Sequence, residues 1–553
     1  MTARYIVLDT AFGDGARFAA ARAAGHPQLH YLAVTPYVAA AASIADPQLR
    51  ALWPPNLPGF HRIVLDDGTV TLDLLVGEAA AVLAQLVARV DHFHVQVADA
   101  TTARTLARLA APGATLDAAA PDQASVWALT AAGFICRLTG QSDAIAAEYR
   151  GRRTPPIQPM PAPEPVRRAV VIGAGLAGAA VCRRLCASGW DVTLVERHAQ
   201  PAQEASGNLA GIFMPLLSSD DNIPTRLVRA AYLYALRYWA ALGGVGSVFE
   251  GASCGVLHLA RDGAHAQVQR RIAASGDYPP EFARWLEADE ATAMLGANAP
   301  DGAWWFAQGG WARPSSVCAA MLDACGALLT RRFSSSALTL VRINDEWQVA
   351  DAQGAVIAAA PTVILAAGAG AVDFVQAAGL PLYAVRGQVT HLDPASLPTR
   401  PFVVCRESYM TPPHQGVVCV GATYDAQDDD ASLRPSSQRD NIEKTAAILG
   451  VPPFEAPLAG RTGFRCMAPD RMPLVGALPD PGVPRRCEQL RDVPRWPGLF
   501  GLLGYASRGL TWAPLAAELL ACQLEGEPLP LENPLAAAID PGRFVLKERR
   551  RAQ

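Results

Sequence analysis

Three glycines and one carboxylate carry the strongest chemical signal in this sequence. Gly173, Gly175 and Gly178 stand in "AVVIGAGLAGAAVCRRL", and Glu196 follows Gly178 by 18 residues, at the end of "WDVTLVE". A short apolar strand, a glycine turn and an alanine-rich helix present free backbone N–H groups to a pyrophosphate at the helix N-terminus. In that arrangement Gly173 permits the tight turn, Gly175 lets the backbone approach the phosphates, and Gly178 lets the helix pack on the strand. Glu196 is then placed to accept hydrogen bonds from an adenosine ribose, with Arg197 adjoining it. The glycine spacing alone is a weak signal. Both flanking strands and the acid together predict dinucleotide binding.

Later segments decide which dinucleotide. "EASGNLAGIFMPLL" places Ser206, Gly207, Asn208 and Gly211 where an isoalloxazine and its ribityl chain can approach backbone. "TVILAAGAG", with Gly368, reads as a late strand that returns to the first sheet. "GLLGYASRGLTWAPLAAELLA" is a glycine turn leading into a helix, and it supplies Gly504, Ser507, Gly509 and Leu510. A helix N-terminus there faces the flavin pyrimidine ring, where negative charge develops on reduction. In this order within one chain, the segments predict FAD.

The elements that must position these groups belong to a long chain. Its 553 residues exceed one ordinary core, so two or more domains are expected. A composition 51% hydrophobic and 18% charged suits a well-buried enzyme rather than a disordered chain. There is no apolar run of membrane-spanning length and no signal-peptide pattern, so a cytoplasmic protein without a membrane partner is expected. The 11 cysteines show no paired C-x-x-C spacing, and Cys182 and Cys186 fall one helical turn apart as packing residues. Among the 10 histidines, His26 and His30 alone are spaced H-x-x-x-H, and no metal is expected. A formal net charge of −4 gives no global attraction to nucleic acid.

"RRTPPIQPMPAPEPVRR" is the sharpest boundary, because proline blocks helix and central strand and favours an extended spacer. The expected bounds are a methyltransferase-like domain over 1–150, a linker over 151–166 and an FAD-dependent oxidoreductase domain over 167–553. Within the last, 167–245, 360–380 and 462–545 are assigned to FAD binding, and about 246–359 and 381–461 to a substrate subdomain. The fold class is α/β: a Rossmann-like first domain, then a Rossmann-type FAD domain carrying an inserted α+β substrate domain.

Residues from about 167 to 545 resemble the D-amino-acid, glycine and sarcosine oxidase superfamily. More specifically, they resemble the FAD half of the MnmC family of bifunctional tRNA 5-methylaminomethyl-2-thiouridine biosynthesis proteins. The matching pieces are "ASGNLAGIFMPLLS", "QGGWARPSSV", "VRGQVTHL", "YMTP", "VGATYD", "GFRCMAPDRMPLVG" and "LGYASRGLTWAPLAAELL". The resemblance implies oxidation of a carboxymethylaminomethyl group on a tRNA wobble uridine, leaving aminomethyl and releasing glyoxylate. The amine must be neutral so that its lone pair assists hydride loss to the flavin, while the protein orients the carbon and holds the carboxylate. Arginine suits the second task because its planar fork grips both oxygens. By the resemblance, Arg465 and Arg508 line the substrate end of the flavin and Tyr409 adds a hydroxyl donor. Trp304, Trp305 and Trp311 offer either a stacking surface for bases or packing for the substrate-domain sheet, and packing is the expectation.

The first 150 residues resemble the methyltransferase half of the same family, with departures. "FGDG", holding Gly13 and Gly15, stands where a loop for S-adenosylmethionine is expected, and Glu78 follows "LLVG" where adenine would lie. The second strand, however, ends in Val34, Thr35 and Pro36, with no carboxylate for a ribose. "VDHFHVQVADATTARTL" lacks the acidic loop that orders the methyl acceptor, and Asp99 is its nearest acid. The first strand also begins almost at Met1, without the leader that relatives carry. The expectation is a vestigial S-adenosylmethionine site in a fold that no longer methylates, so that a separate methyltransferase would complete the pathway. Three alternatives stay open: a fully bifunctional enzyme, a small-molecule amine oxidase, and a flavin-stabilised tRNA-binding scaffold without turnover.

Overall fold

The computed structural model describes residues 4–96, 98–119, 121–138, 144–151, 164–483 and 486–552. Most of the predicted linker, residues 152–163, lies outside the described residues. The chain divides into two compact units, Met1–Glu164 with Ala521–Ala537, and Pro165–Leu520 with Ala538–Gln553. Among the described residues, no helix is long and apolar enough to cross a membrane.

The first unit is built on an eight-stranded sheet. Its spatial order is Gly59–Leu65, Val70–Val76, Leu29–Thr35, Tyr5–Asp9, Val90–Val95, Ala110–Ala118, Ile145–Tyr149, Phe134–Leu138. The inner strands run parallel and the outermost pairs antiparallel. Alternation feeds two cores, one per face: Leu8, Leu32 and Phe93 in one, Val7, Tyr31 and Leu72 in the other. Strand order reverses between Tyr5–Asp9 and Val90–Val95, the kind of switch point at which parallel sheets open a crevice.

One buried ionic cluster ties this unit together. The Arg62 guanidinium donates to both Asp73 oxygens at 2.8 and 2.7 Å, and His30 Nε2 lies 2.8 Å from Asp73 Oδ2. The same guanidinium donates to the Pro528 carbonyl at 2.8 Å, and the Leu529 N–H donates to the Val87 carbonyl at 3.1 Å. These bonds explain why Ala521–Ala537 belongs to the first unit, whereas the sequence-based bounds give it to FAD binding.

In the second unit a six-stranded sheet runs in the order Leu329–Arg332, Asp191–Val195, Arg168–Ile172, Thr362–Leu365, Arg495–Leu503, Leu474–Pro479. The outer strand Leu329–Arg332 pairs in parallel with Asp191–Val195, so it belongs to this sheet and not to the substrate subdomain that sequence bounds suggest. A nine-stranded sheet forms the second layer. There Gly460–Met467 pairs antiparallel with Tyr383–Leu392, which moves Arg465 off the dinucleotide sheet expected from the 462–545 bounds. The tryptophans pack into this unit. Trp304 is buried and donates its Nε1 to Gln269 at 2.7 Å, Trp311 is buried, and Trp305 stands edge-on to Phe402.

The Arg62–Asp73–His30 cluster makes the first prediction. The guanidinium and His30 together hold the Asp73 carboxyl far below its ordinary range despite the opposing effect of burial. Neutralising it strands a buried guanidinium. Asp73→Asn is expected to lower unfolding free energy by about 3–5 kcal/mol, measured by urea denaturation.

Candidate functional site

The helix Leu176–Ala187 follows the strand Arg168–Ile172 through a turn in which Gly173 has φ +105°. A Cβ on Gly173 would stand 2.6 Å from the Ala366 carbonyl oxygen, and one on Gly178 only 1.8 Å from that of Gly173. Both glycines are therefore required by backbone approach. Glu196 is buried and accepts the N–H groups of Ala174 and His198 at 2.8 and 2.9 Å. Its carboxylate thus braces the glycine turn. Ser206 Oγ accepts the Leu176 N–H at 3.2 Å, fixing the start of the helix.

A cavity of about 390 Å³ opens from this helix start. Gly175, Ser206, Asn208, Gly211, Gly368, Gly504, Ser507, Gly509 and Leu510 all line it, and so do Arg465, Arg508 and Tyr409. Gly173, Gly178, Glu196, Arg197 and Gly207 lie outside the lining. Two of these are engaged elsewhere. Arg197 is exposed and pairs with Glu204 at 2.5 Å, and Gly207 packs under the Arg461 guanidinium.

The helix Gly509–Glu525 also begins at the cavity, with Gly509 beside Leu176. Arg508, just before it, has among the described residues only the Met214 carbonyl near its Nη1, at 3.5 Å. Arg465 Nη1 donates to the Thr423 carbonyl at 3.1 Å, and its guanidinium lies over the Tyr424 ring. Burial pulls both guanidiniums below their ordinary range, partly opposed by Tyr409 at Arg465 and by Cys405 at Arg508. Burial likewise pushes the Tyr409 hydroxyl up, so it stays a neutral donor. Among the described residues, neither Arg465 nor Arg508 is ion-paired with a carboxylate. Two half-buried guanidiniums without a carboxylate partner favour an anion nearby.

His258 joins this wall, and sequence reasoning missed it. It lies in the strand Val256–Leu259, whose Leu257 and Leu259 enter the core, so the alternation sends Val256 and His258 to the other face. A polar residue at an alternating position was the available signal. Burial lowers its pKa to about 4, helped by the nearby His265 and Arg508 charges.

Comparison with known proteins fits this geometry. Residues 168–523 match the FAD dependent oxidoreductase family. Over 99% of its length the chain is 41% identical to the tRNA 5-methylaminomethyl-2-thiouridine biosynthesis bifunctional protein MnmC of Azoarcus sp. (strain BH72), of which 91% is covered. The chain belongs to the MnmC family. The homologous MnmC of Paraburkholderia phytofirmans (strain DSM 17436 / LMG 22146 / PsJN) is 40% identical over 98% of this chain and 90% of its own. Glycine oxidase from Geobacillus kaustophilus shares the fold, with a TM-score of 0.55 at 20% identity over 68% of this chain and 98% of its own. Iminodiacetate oxidase from Chelativorans sp. BNC1 does so with a TM-score of 0.54 at 24% identity, over 66% and 96%. The chain is an FAD-dependent oxidoreductase, and the glycine-lined cavity at the end of its dinucleotide sheet fits that cofactor. The buried Tyr505 hydroxyl, which lines the cavity without a protein partner among the described residues, fits it too.

Two predictions follow from this geometry. Because the added methyl would meet backbone, Gly178→Ala is expected to purify with flavin far below one equivalent, read from visible absorbance. The second concerns His258, whose pKa lies below the ordinary 6.5 in the folded protein. Between about 4 and 6.5 the unfolded chain binds the extra proton and the folded one does not, so stability rises with pH across that window. His258→Gln is expected to flatten this part of the pH dependence of unfolding.

Proposed function

We propose that the second unit oxidatively removes the carboxymethyl group from 5-carboxymethylaminomethyluridine at a tRNA wobble position, with or without 2-thiolation. The products are the 5-aminomethyl form and glyoxylate. The observation that carries this reading is the pair of half-buried guanidiniums, Arg465 and Arg508, without a carboxylate partner among the described residues, in the cavity that suits FAD. The relatives' names supply the tRNA, and the cavity supplies a receptor for a carboxylate next to an oxidisable carbon.

FAD, when bound, takes the hydride from the carbon between the amine and the carboxylate. Every other part falls to the chain's own groups. Arg465 and Arg508 hold the carboxylate and orient that carbon, and the neutral Tyr409 hydroxyl donates to the bound substrate. A neutral His258 adds no positive charge beside the amine, which favours the free base whose lone pair assists hydride loss. Water then hydrolyses the resulting imine, leaving the aminomethyl group on the tRNA. For the cofactor itself, Gly175, Ser206, Asn208, Gly211 and Gly368 would lie against the dinucleotide and ribityl chain. Gly504, Ser507, Gly509 and Leu510 would lie at the flavin ring. Glu196, with Gly173 and Gly178 beside it, would shape the turn at the pyrophosphate.

The first unit is read as a methyltransferase-like fold that no longer transfers methyl. Gly13 and Gly15 keep left-handed backbone in the loop after the first strand. Glu78, however, accepts the Ala81 N–H at 2.9 Å and caps a helix, and Asp99 does the same at Thr102. Neither acid is reserved for a cofactor or an acceptor amine.

Anaerobic mixing with tRNA carrying carboxymethylaminomethyluridine is expected to bleach the flavin, whereas glycine alone leaves it oxidised. Arg465→Met is expected to raise the tRNA concentration needed by about 10–100-fold, the worth of charge-assisted hydrogen bonds. The product tRNA should gain no methyl group from S-adenosylmethionine with this protein alone. Bleaching by glycine would instead identify a small-molecule amine oxidase, and methyl transfer would identify a bifunctional enzyme.

A further inference from the structure

Two histidines and an aspartate of the first unit converge at one point, independently of the flavin cavity. His92 and His94 lie two apart in the strand Val90–Val95, and Thr115 and Asp117 lie two apart in the parallel strand Ala110–Ala118. The register pairs His92 with Thr115 and His94 with Asp117, so all four side chains share one face of the sheet. His92 Nε2 and His94 Nδ1 each stand 2.7 Å from the same oxygen, Asp117 Oδ1. The rings meet edge to face at 4.6 Å, and the three ligand atoms lie within 4.8 Å of one another.

We propose that His92, His94 and Asp117 bind a divalent late first-row transition metal ion, zinc being the probe of choice. Imidazole and carboxylate are the donors such ions take, and three protein ligands leave a position open. Ligand atoms around one tetrahedral zinc lie about 3.3 Å apart, so side-chain rotation of about half an ångström opens the cluster without moving either strand. The outer support is already in place: Thr115 Oγ1 lies 2.7 Å from His92 Nδ1. In the bound state Nδ1 carries the proton and donates it to Thr115, which leaves Nε2 free for the metal. The histidine side chains are about one-fifth exposed and Asp117 about half, so the open position faces water. A search for the helical H-x-x-x-H spacing passes over this site, because strand geometry makes H-x-H the spacing that puts two imidazoles on one face.

The test uses the full-length, tag-free protein, treated with chelator, desalted and titrated with cobalt(II). One equivalent is expected to bind saturably with visible d–d absorption and no near-ultraviolet thiolate band, and zinc is expected to displace it. Thr115→Val should weaken zinc binding roughly 10–100-fold, and the double variant H92Q/H94Q should lose the equivalent altogether. The absence of a saturable equivalent would overturn the proposal. A thiolate band, which would put the ion on the cysteines, would do so as well, as would wild-type affinity in a folded double variant. If the double variant fails to fold, the cobalt spectrum of the wild type and the Thr115→Val affinity decide between the outcomes.

Discussion

The second unit depends on a single close approach of backbone to backbone. The helix Leu176–Ala187 can lie against the strand before it only because Gly178 offers hydrogen where any other residue offers carbon, 1.8 Å from the Gly173 oxygen. Gly173, in turn, lies under the Ala366 carbonyl at the end of the neighbouring strand Thr362–Leu365. These contacts bring the helix start, the loop after Thr362–Leu365 and the segment before Gly509 to the mouth of one cavity. Glu196 holds the turn in place through the Ala174 N–H. A motif usually read as a ligand site is therefore first a packing device, and the site exists because the packing succeeds.

Much of the dinucleotide half was legible because its signals are local. Strand, turn, helix and acid occupy 29 consecutive residues from Arg168 to Glu196, and each obeys a rule of spacing. The boundaries of the two layers were less legible. Leu329–Arg332 and Gly460–Met467 are short apolar or mixed segments whose sheet is chosen by partners 70 or more residues away in the chain. Likewise, nothing near Ala521–Ala537 announces that Pro528 will accept from Arg62. His258 escaped notice for a related reason, since one histidine in an apolar strand acquires meaning only when a segment distant in the chain brings Arg508 near it.

The first unit and the cavity of the second treat charge in opposite ways, and this bears on what each can do. In the first, acids are consumed by folding: Asp73 by Arg62, Glu78, Asp99 and Asp122 by helix N-termini, and Asp9 by Tyr31 and Arg17. Such bonds are worth about a kilocalorie per mole or more each to stability, but an acid committed to a helix cap must give up that bond to serve a ligand. In the cavity, Arg465 and Arg508 have no carboxylate partner among the described residues, a costly choice in a half-buried wall. That cost is recovered only when an anion arrives. Charge compensated within the fold marks a scaffold, and charge left uncompensated marks a receptor. On that criterion the oxidase cavity is the part of the chain arranged to meet a substrate.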